Sequence, residues 1–322
     1  MIPTNNPEPF IYLAPIKGIT DALFRTILLR HFGGFSGLMA PFINPQNSFL
    51  LENRLLKDVL PENNPAACNL VPQLLHTTPE PFITLANRLA DLGFTHVNWN
   101  LGCPAPMVAK KQRGSGMLPH TDLILGFLDA VLPKIRTELS IKTRLGFASK
   151  TEIATLLPLI DHYPLKEIII HPRLGKQLYR GTTDIDGFAM CLELSRHSLV
   201  YNGDIVDAPS FAALANRFPS IGRWMLGRGV LANPMLAEEL TGVKATVESD
   251  KIFRLMQFHQ ELFQKYRQLL SGPGHLLGRM KLIWSYLILS FPGQQKQLKK
   301  IQKCNTIAHY LQIVDDIFRN NH

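Results

Sequence analysis

Eight short apolar, β-prone runs, most of them followed by a stretch with helical spacing, constrain this chain more than any other feature. The runs are 11–16 (IYLAPI), 37–43 (GLMAPFI), 68–75 (CNLVPQLL), 96–101 (HVNWNL), 139–145 (LSIKTRL), 167–172 (EIIIHP), 198–203 (SLVYNG) and 222–227 (GRWMLG). Between them, 79–92, 120–137, 149–160 and 207–217 carry apolar residues at helical spacing. Alternating strands and helices imply parallel strands with helical crossovers. Eight such units predict an α/β fold, a closed (β/α)8 barrel of the TIM type rather than an open sheet. The 322 residues exceed a barrel of roughly 250, which leaves room for an appendage. After about residue 240 the strands stop. Residues 251–270, 276–290 and about 294–318 read as helices, the first two separated by Ser271-Gly272-Pro273-Gly274. A boundary near Thr241-Gly242 therefore divides the chain into a barrel, 1–241, and a small helical domain, 242–322.

Charge separates the two parts. The chain carries a net +9, and +6 of it falls in residues 245–322, where eleven Lys/Arg face five Asp/Glu. An ordinary solvated helical face and a polyanion-binding surface both fit that excess. No run of 18 apolar residues exists, so no membrane span is expected. The first seven residues lack the basic and apolar regions of a secretory signal. The four cysteines, Cys68, Cys103, Cys191 and Cys304, show no metal-ligand spacing. No metal site is expected, and scattered free thiols fit a reducing cytoplasm.

In a (β/α)8 barrel the active site forms at the C-terminal ends of the strands. Here those ends carry Pro15-Ile16-Lys17-Gly18, Gln73, Asn100 with Cys103, Lys142 with Arg144, His171-Pro172-Arg173, Asn202-Gly203-Asp204 and Gly227-Arg228-Gly229. Each has an ordinary reading: a snorkelling lysine, a satisfied core histidine, glycines that only turn the chain. Delivery of such groups to one rim by seven of eight strands is what those readings leave unexplained. Gly203 and Gly227–Gly229 follow the seventh and eighth runs, a common phosphate site in this fold. Arg228 can add a charge-assisted bond there, so a ligand carrying a phosphate is expected.

Cys103 stands just past a strand, between Gly102 and Pro104, in a tight turn. A strand-end loop can present a thiol to a ligand while the scaffold stays rigid. A small buried hydrophobe is the alternative, since free cysteine is among the most buried residue types.

These residues resemble the dihydrouridine synthases, flavoproteins that reduce uridine in RNA. The similarity runs through Leu13-Ala14-Pro15, Gln73, Asn100-Leu101-Gly102-Cys103-Pro104 and Gly114-Ser115-Gly116-Met117-Leu118. It continues through Lys142-Thr143-Arg144-Leu145-Gly146, His171-Pro172-Arg173, Gln177-Leu178-Tyr179-Arg180-Gly181, Asn202-Gly203-Asp204 and Met225-Leu226-Gly227-Arg228-Gly229. Arg279 to Leu287 is similar to the family's helical-domain motif. The resemblance implies FMN on the rim, its phosphate near Asn202, Gly203, Asp204, Gly227 and Arg228. Gln73, Lys142 and His171 would surround the flavin ring, with Pro15, Ile16 and Lys17 beneath it. NADPH would reduce the flavin, a hydride would pass to C6 of a uracil, and Cys103 would protonate C5. Asn100 would orient the base, with Arg144 and Arg173 as further substrate contacts. Arg279, Lys281 and the Lys299, Lys300, Lys303 cluster would meet the RNA backbone, tRNA being the favoured RNA. A monomer is the default expectation.

The chain departs from the family pattern in places. Ile16 and Lys17 stand where Met and an acidic or small residue are usual, and Met107 where a basic residue is common. Pro172-Arg173-Leu174 replaces Gly-Arg-Thr after the histidine. The tryptophan expected after the Tyr-x-Gly motif is absent, with Asp186-Gly187-Phe188 in its region. An FMN barrel acting on a free pyrimidine competes with this reading, as does ribosomal RNA as the substrate. The basic appendage argues against a small-molecule substrate. Cys103, Lys142 and His171 argue against a binding protein that has lost its chemistry.

Overall fold

A computed structural model describes residues 8–45, 55–65, 69–243 and 248–320. The N-terminal expectation for residues 1–7 and that for Cys68 fall outside them. The strands are β1 (Phe10–Leu13), β2 (Gly37–Met39), β3 (Leu70–Val71), β4 (Gln73–Leu74), β5 (His96–Leu101), β6 (Glu138–Gly146), β7 (Leu165–Leu174), β8 (Leu199–Tyr201) and β9 (Arg223–Leu226). Neighbours pair in parallel, in the order β3-β2-β1-β9-β8-β7-β6-β5-β4. The two ends of that order, β3 and β4, are separated by one residue, Pro72. Proline has no N–H for the ladder, so this run splits into a piece on β2 and a piece on β5. The sheet thus closes through residues 70–74, and the eight expected runs are its eight staves. The first two end early, at Leu13 and Met39, before Pro15 and Pro41.

Side chains alternate across each strand. On β5, Val97, Trp99 and Leu101 point outward, and the Trp99 ring stacks on Phe127 of the helix Thr121–Val131 at 4.0 Å. His96, Asn98 and Asn100 point into the barrel. The outer helices bury one stripe each at helical spacing: Phe82, Leu85, Ala86 and Leu89 on Pro79–Asp91, and Ile153, Leu156, Leu157 and Ile160 on Thr151–Ile160. Ala22–His31, Ile185–Leu194 and Ala208–Arg217 are each capped by an aspartate accepting a backbone N–H: Asp21, Asp184 and Asp207.

Beyond Gly242, whose φ of 71° ends the helix Leu236–Thr241, the chain forms the helices Glu248–Leu269, Gly272–Leu287, Gln295–Lys303 and Ile307–Arg319. The single helix expected over 294–318 is two. They break after Lys303, and Thr306 caps the second by accepting the His309 N–H. The helix expected from 276 begins at Gly272, because a proline in the first turn loses no intrahelical bond. These helices share the barrel's outer core. Phe258 meets Phe24 at 5.8 Å and Phe32 at 5.2 Å, ring centre to ring centre. Asp21 accepts the Tyr266 hydroxyl at 2.7 Å and pairs with Arg279. Among the described residues no helix is long and apolar enough to cross a membrane.

Candidate active site

A cavity of about 1290 Å³ opens where the strands end, and Ile252, Leu255, Leu282 and Tyr286 of the C-terminal helices wall its far side. Lys142, His171 and Asn202 sit on inward-facing positions of β6, β7 and the end of β8, so strand alternation alone brings them together. Lys142 Nζ donates to Asn202 Oδ1 at 2.8 Å, and Asn202 Nδ2 donates to the Met225 carbonyl at 2.7 Å. His171 Nδ1 lies 2.6 Å from the Asn202 carbonyl, which can only accept. That makes Nδ1 the protonated nitrogen and leaves Nε2 to accept from Arg173 at 3.3 Å. Burial, with Lys142 beside it, holds His171 well below the usual histidine range.

Burial also pulls Lys142 down to about 7, with Arg144 adding repulsion. Five basic side chains line the cavity (Lys17, Lys142, Arg144, Arg228 and Lys251) against the carboxylates of Asp204 and Glu239. Such a lining suits an anionic ligand.

Cys103 is held from two sides. Asn100 Oδ1 accepts the N–H of Gly102 at 3.0 Å and of Cys103 at 2.8 Å. The Cys103 carbonyl accepts the Ser115 N–H at 3.0 Å and its hydroxyl at 3.1 Å. Burial pushes the thiol up, against the pull of Lys17, Arg144 and Lys142, so it begins as S–H. Arg144 ties the cysteine turn to the loop after β7. It donates to Gly102 O at 3.0 Å, Leu174 O at 2.8 Å and Leu178 O at 2.7 Å. Leu178 takes φ of 54°, a positive value rare for so bulky a residue.

Gly203, Gly227 and Gly229 edge the cavity beside β8 and β9. A Cβ on Gly229 would meet Ile205 O at 2.2 Å, and one on Gly203 would meet Thr183 Cγ2 at 2.6 Å. Gly229 thus lets the turn after β9 lie directly on the Ile205 carbonyl of the turn after β8. Asp204, at φ of 46°, holds Arg173 at 2.5 Å and Arg228 at 3.0 Å. Arg228 is thereby held beside the glycine turns, its guanidinium 5.4 Å from the Tyr179 ring centre.

All eleven residues expected around a cofactor (Pro15, Ile16, Lys17, Gln73, Lys142, His171, Asn202, Gly203, Asp204, Gly227 and Arg228) line this one cavity, as do Cys103, Asn100 and Arg144. Arg173 lies behind it, 1% exposed and bonded to Gly181 O and Asp204. Arg279 sits at the junction between barrel and helices, paired with Asp21 and Tyr266. Lys281 lies partly exposed on the same helix. Sequence reasoning passed over Phe42, Tyr179 and Tyr286 as lining residues. Tyr179 lay within a quoted motif. Its position between the Arg144 and Arg228 guanidinium groups, 5.2 and 5.4 Å from the ring centre, depends on long-range folding.

The sequence model of the family described as dihydrouridine synthase matches residues 12–321. A probable tRNA-dihydrouridine synthase of Staphylococcus epidermidis is 28% identical over 279 residues, covering 81% of this chain and 79% of that one. A tRNA-dihydrouridine synthase B of Pasteurella multocida is 27% identical over 269 residues, covering 80% and 78%. Among solved structures, morphinone reductase in complex with tetrahydroNAD superimposes with a TM-score of 0.51 at 14% identity, covering 74% of this chain and 87% of that one. At that identity the likeness is one of fold.

Proposed function

The chain belongs to the dihydrouridine synthase family, and from that premise we propose that it reduces uridine to 5,6-dihydrouridine in tRNA, with FMN as bound cofactor and NADPH as reductant. The observation that carries the reading is an uncharged thiol, Cys103, sharing a cationic cavity with Lys142. The lining fits a flavin: glycine turns at Gly203 and Gly227 with Arg228 held by Asp204 beside them for the phosphate, and Gln73, Lys142, His171 and Asn202 converging deeper in. FMN, when bound, supplies the hydride chemistry.

The protein's own residues supply the rest. Lys142 offers an ammonium that stabilises negative charge in the cavity. Cys103 gives its proton from Sγ to C5 of the uracil, and Asn100 holds the turn that aims the sulfur. Asn100 Nδ2 keeps a second N–H, beyond the one given to Gln73, with which to orient the base. A uracil stacked in folded RNA has to be flipped out to reach this depth. In this reading residues 1–241 form the catalytic unit of a cytoplasmic monomer, and the basic helices of 242–322 hold the RNA backbone through Lys281, Lys299, Lys300 and Lys303.

The test incubates purified protein with NADPH and tRNA from a strain lacking dihydrouridine activity, then quantifies dihydrouridine by nucleoside mass spectrometry. A rise is expected, lost in Cys103→Ala while flavin reduction by NADPH persists. No rise from a flavin-bearing protein that oxidises NADPH would move the substrate to ribosomal RNA or a free pyrimidine.

A further inference from the structure

A line of buried polar side chains crosses the barrel interior from its N-terminal end to Cys103. Strand register builds it: Gln73 and Ser140 are the direct neighbours of Asn98 on β4 and β6. His96, Asn98 and Asn100 follow one another on the inward face of β5. The contacts are short: His96 Nε2 to Ser140 Oγ 2.7 Å, Asn98 Nδ2 to Ser140 Oγ 2.8 Å, Gln73 Nε2 to Asn98 Oδ1 2.7 Å and Asn100 Nδ2 to Gln73 Oε1 2.7 Å.

The direction of this chain is fixed by its last members. The Gly102 and Cys103 backbone N–H groups can only donate, so Asn100 turns its oxygen to them. Its NH2 then faces Gln73, whose oxygen must accept and whose NH2 must face Asn98. Asn98 repeats the pattern towards Ser140. Ser140, already accepting, donates its hydroxyl hydrogen to His96 Nε2. Burial keeps His96 uncharged, down to about 4, as that acceptor role requires. Reversing any one amide would set two like groups face to face somewhere along the line.

Apart from one buried cluster, in which Arg223 pairs with Glu167 and donates to the Tyr12 hydroxyl, the other half of the interior below the cavity carries no such line. Tyr12, Ala14, Met39, Val71, Ile169, Val200 and Met225 fill it with largely apolar packing, the ordinary content of such a barrel. A polar column is costly to bury, and each member left unpaired costs more than the bond it makes. We propose that His96, Ser140 and Asn98 are positioning residues, which lock Gln73 and Asn100 into one amide orientation and through Asn100 seat the Cys103 turn. The inference rests on the reading of Cys103 as the acid, and it extends that reading to three residues outside the cavity.

The test compares Ser140→Ala, Ser140→Thr and Asn98→Leu with the unaltered full chain. The first readout, which needs no turnover, is the rate of Cys103 alkylation by iodoacetamide, followed on the Cys103 peptide by mass spectrometry. The second is the split between kcat and KM for uridine reduction. Ser140→Ala and Asn98→Leu should speed alkylation and lower kcat, each by about tenfold, the scale of one buried hydrogen bond, with KM for RNA unchanged. Ser140→Thr, which keeps the hydroxyl, should stay within about twofold of the unaltered protein. If Asn98→Leu does not fold, the alanine and threonine variants decide between themselves. Unchanged alkylation in Ser140→Ala, or a Ser140→Thr variant that behaves like it, overturns the inference. A starting protein that reduces no uridine overturns the functional reading instead, and leaves the alkylation rates to decide this one.

Discussion

Lys142 Nζ lies 2.8 Å from Asn202 Oδ1, with no carboxylate among its hydrogen-bond partners in the described residues. An ammonium held by a neutral amide in a buried site pays for its charge in lost hydration, and Lys142 falls to about 7. The unfolded chain titrates it at about 10.4. Between those values the unfolded state holds a proton that the folded state has released, so stability rises with pH across the window. Urea midpoints of the flavin-free protein are expected to climb from pH 7 towards pH 10. Lys142→Met should flatten the climb. A parallel climb in that variant would assign the effect to another group.

Lys17 pulls the Cys103 thiol down while burial pushes it up. Removing that charge in Lys17→Gln therefore raises the thiol further. Alkylation of Cys103 at pH 8 should slow by about twofold, and the difference should fade in 0.5 M salt, since Lys17 is exposed. A faster reaction in the variant would mean that Lys17 acts on Cys103 by screening access rather than by charge.

Gly114 sits against the cysteine turn at φ of 57°. A Cβ there would meet the Cys103 carbonyl oxygen at 2.6 Å and the Cys103 Cβ at 2.9 Å, both tied to backbone that cannot swing away. Gly114→Ala should cost about 1–3 kcal/mol of stability by urea denaturation and displace the sulfur. Dihydrouridine formation should then fall by more than stability alone explains at temperatures where the variant is fully folded. Normal activity would show that the turn has slack which these distances deny.

The barrel was legible because strand alternation and helical spacing are local. Trp99 and Asn100 declare opposite faces of β5 from the sequence itself. The cavity lining was legible for the same reason, since strand ends must meet on one rim. The split of the last helix was not, because Cys304-Asn305-Thr306 carries no proline or glycine and the break depends on Thr306 finding the His309 N–H. The commitments of Arg144, Arg173 and Arg279 were also hidden. A basic residue reads the same from the sequence whether it meets a ligand or, as Arg173 does, the carboxylate of Asp204.

Arg279 and Lys281 stand two residues apart on one helix, and the structure gives them different work. Arg279 is 20% exposed in its side chain, pairs with Asp21, donates to Tyr266 Oη at 3.1 Å and lies over the Tyr266 ring at 4.8 Å. Asp21 also caps Ala22–His31, so the contact joins the first barrel helix to the helical domain. Arg279→Gln should therefore cost about 1–2 kcal/mol of stability and leave the salt dependence of tRNA binding as it was. Lys281, partly exposed and in none of the ion pairs among the described residues, is placed to meet phosphate. Lys281→Gln should leave stability within about 0.5 kcal/mol and reduce the slope of log K against log salt by about 0.7–0.9. Urea denaturation and filter binding at several salt concentrations separate the two. If Arg279→Gln flattens the salt slope as much as Lys281→Gln does, with stability intact, the Asp21 pair gives way on binding and Arg279 turns to the RNA.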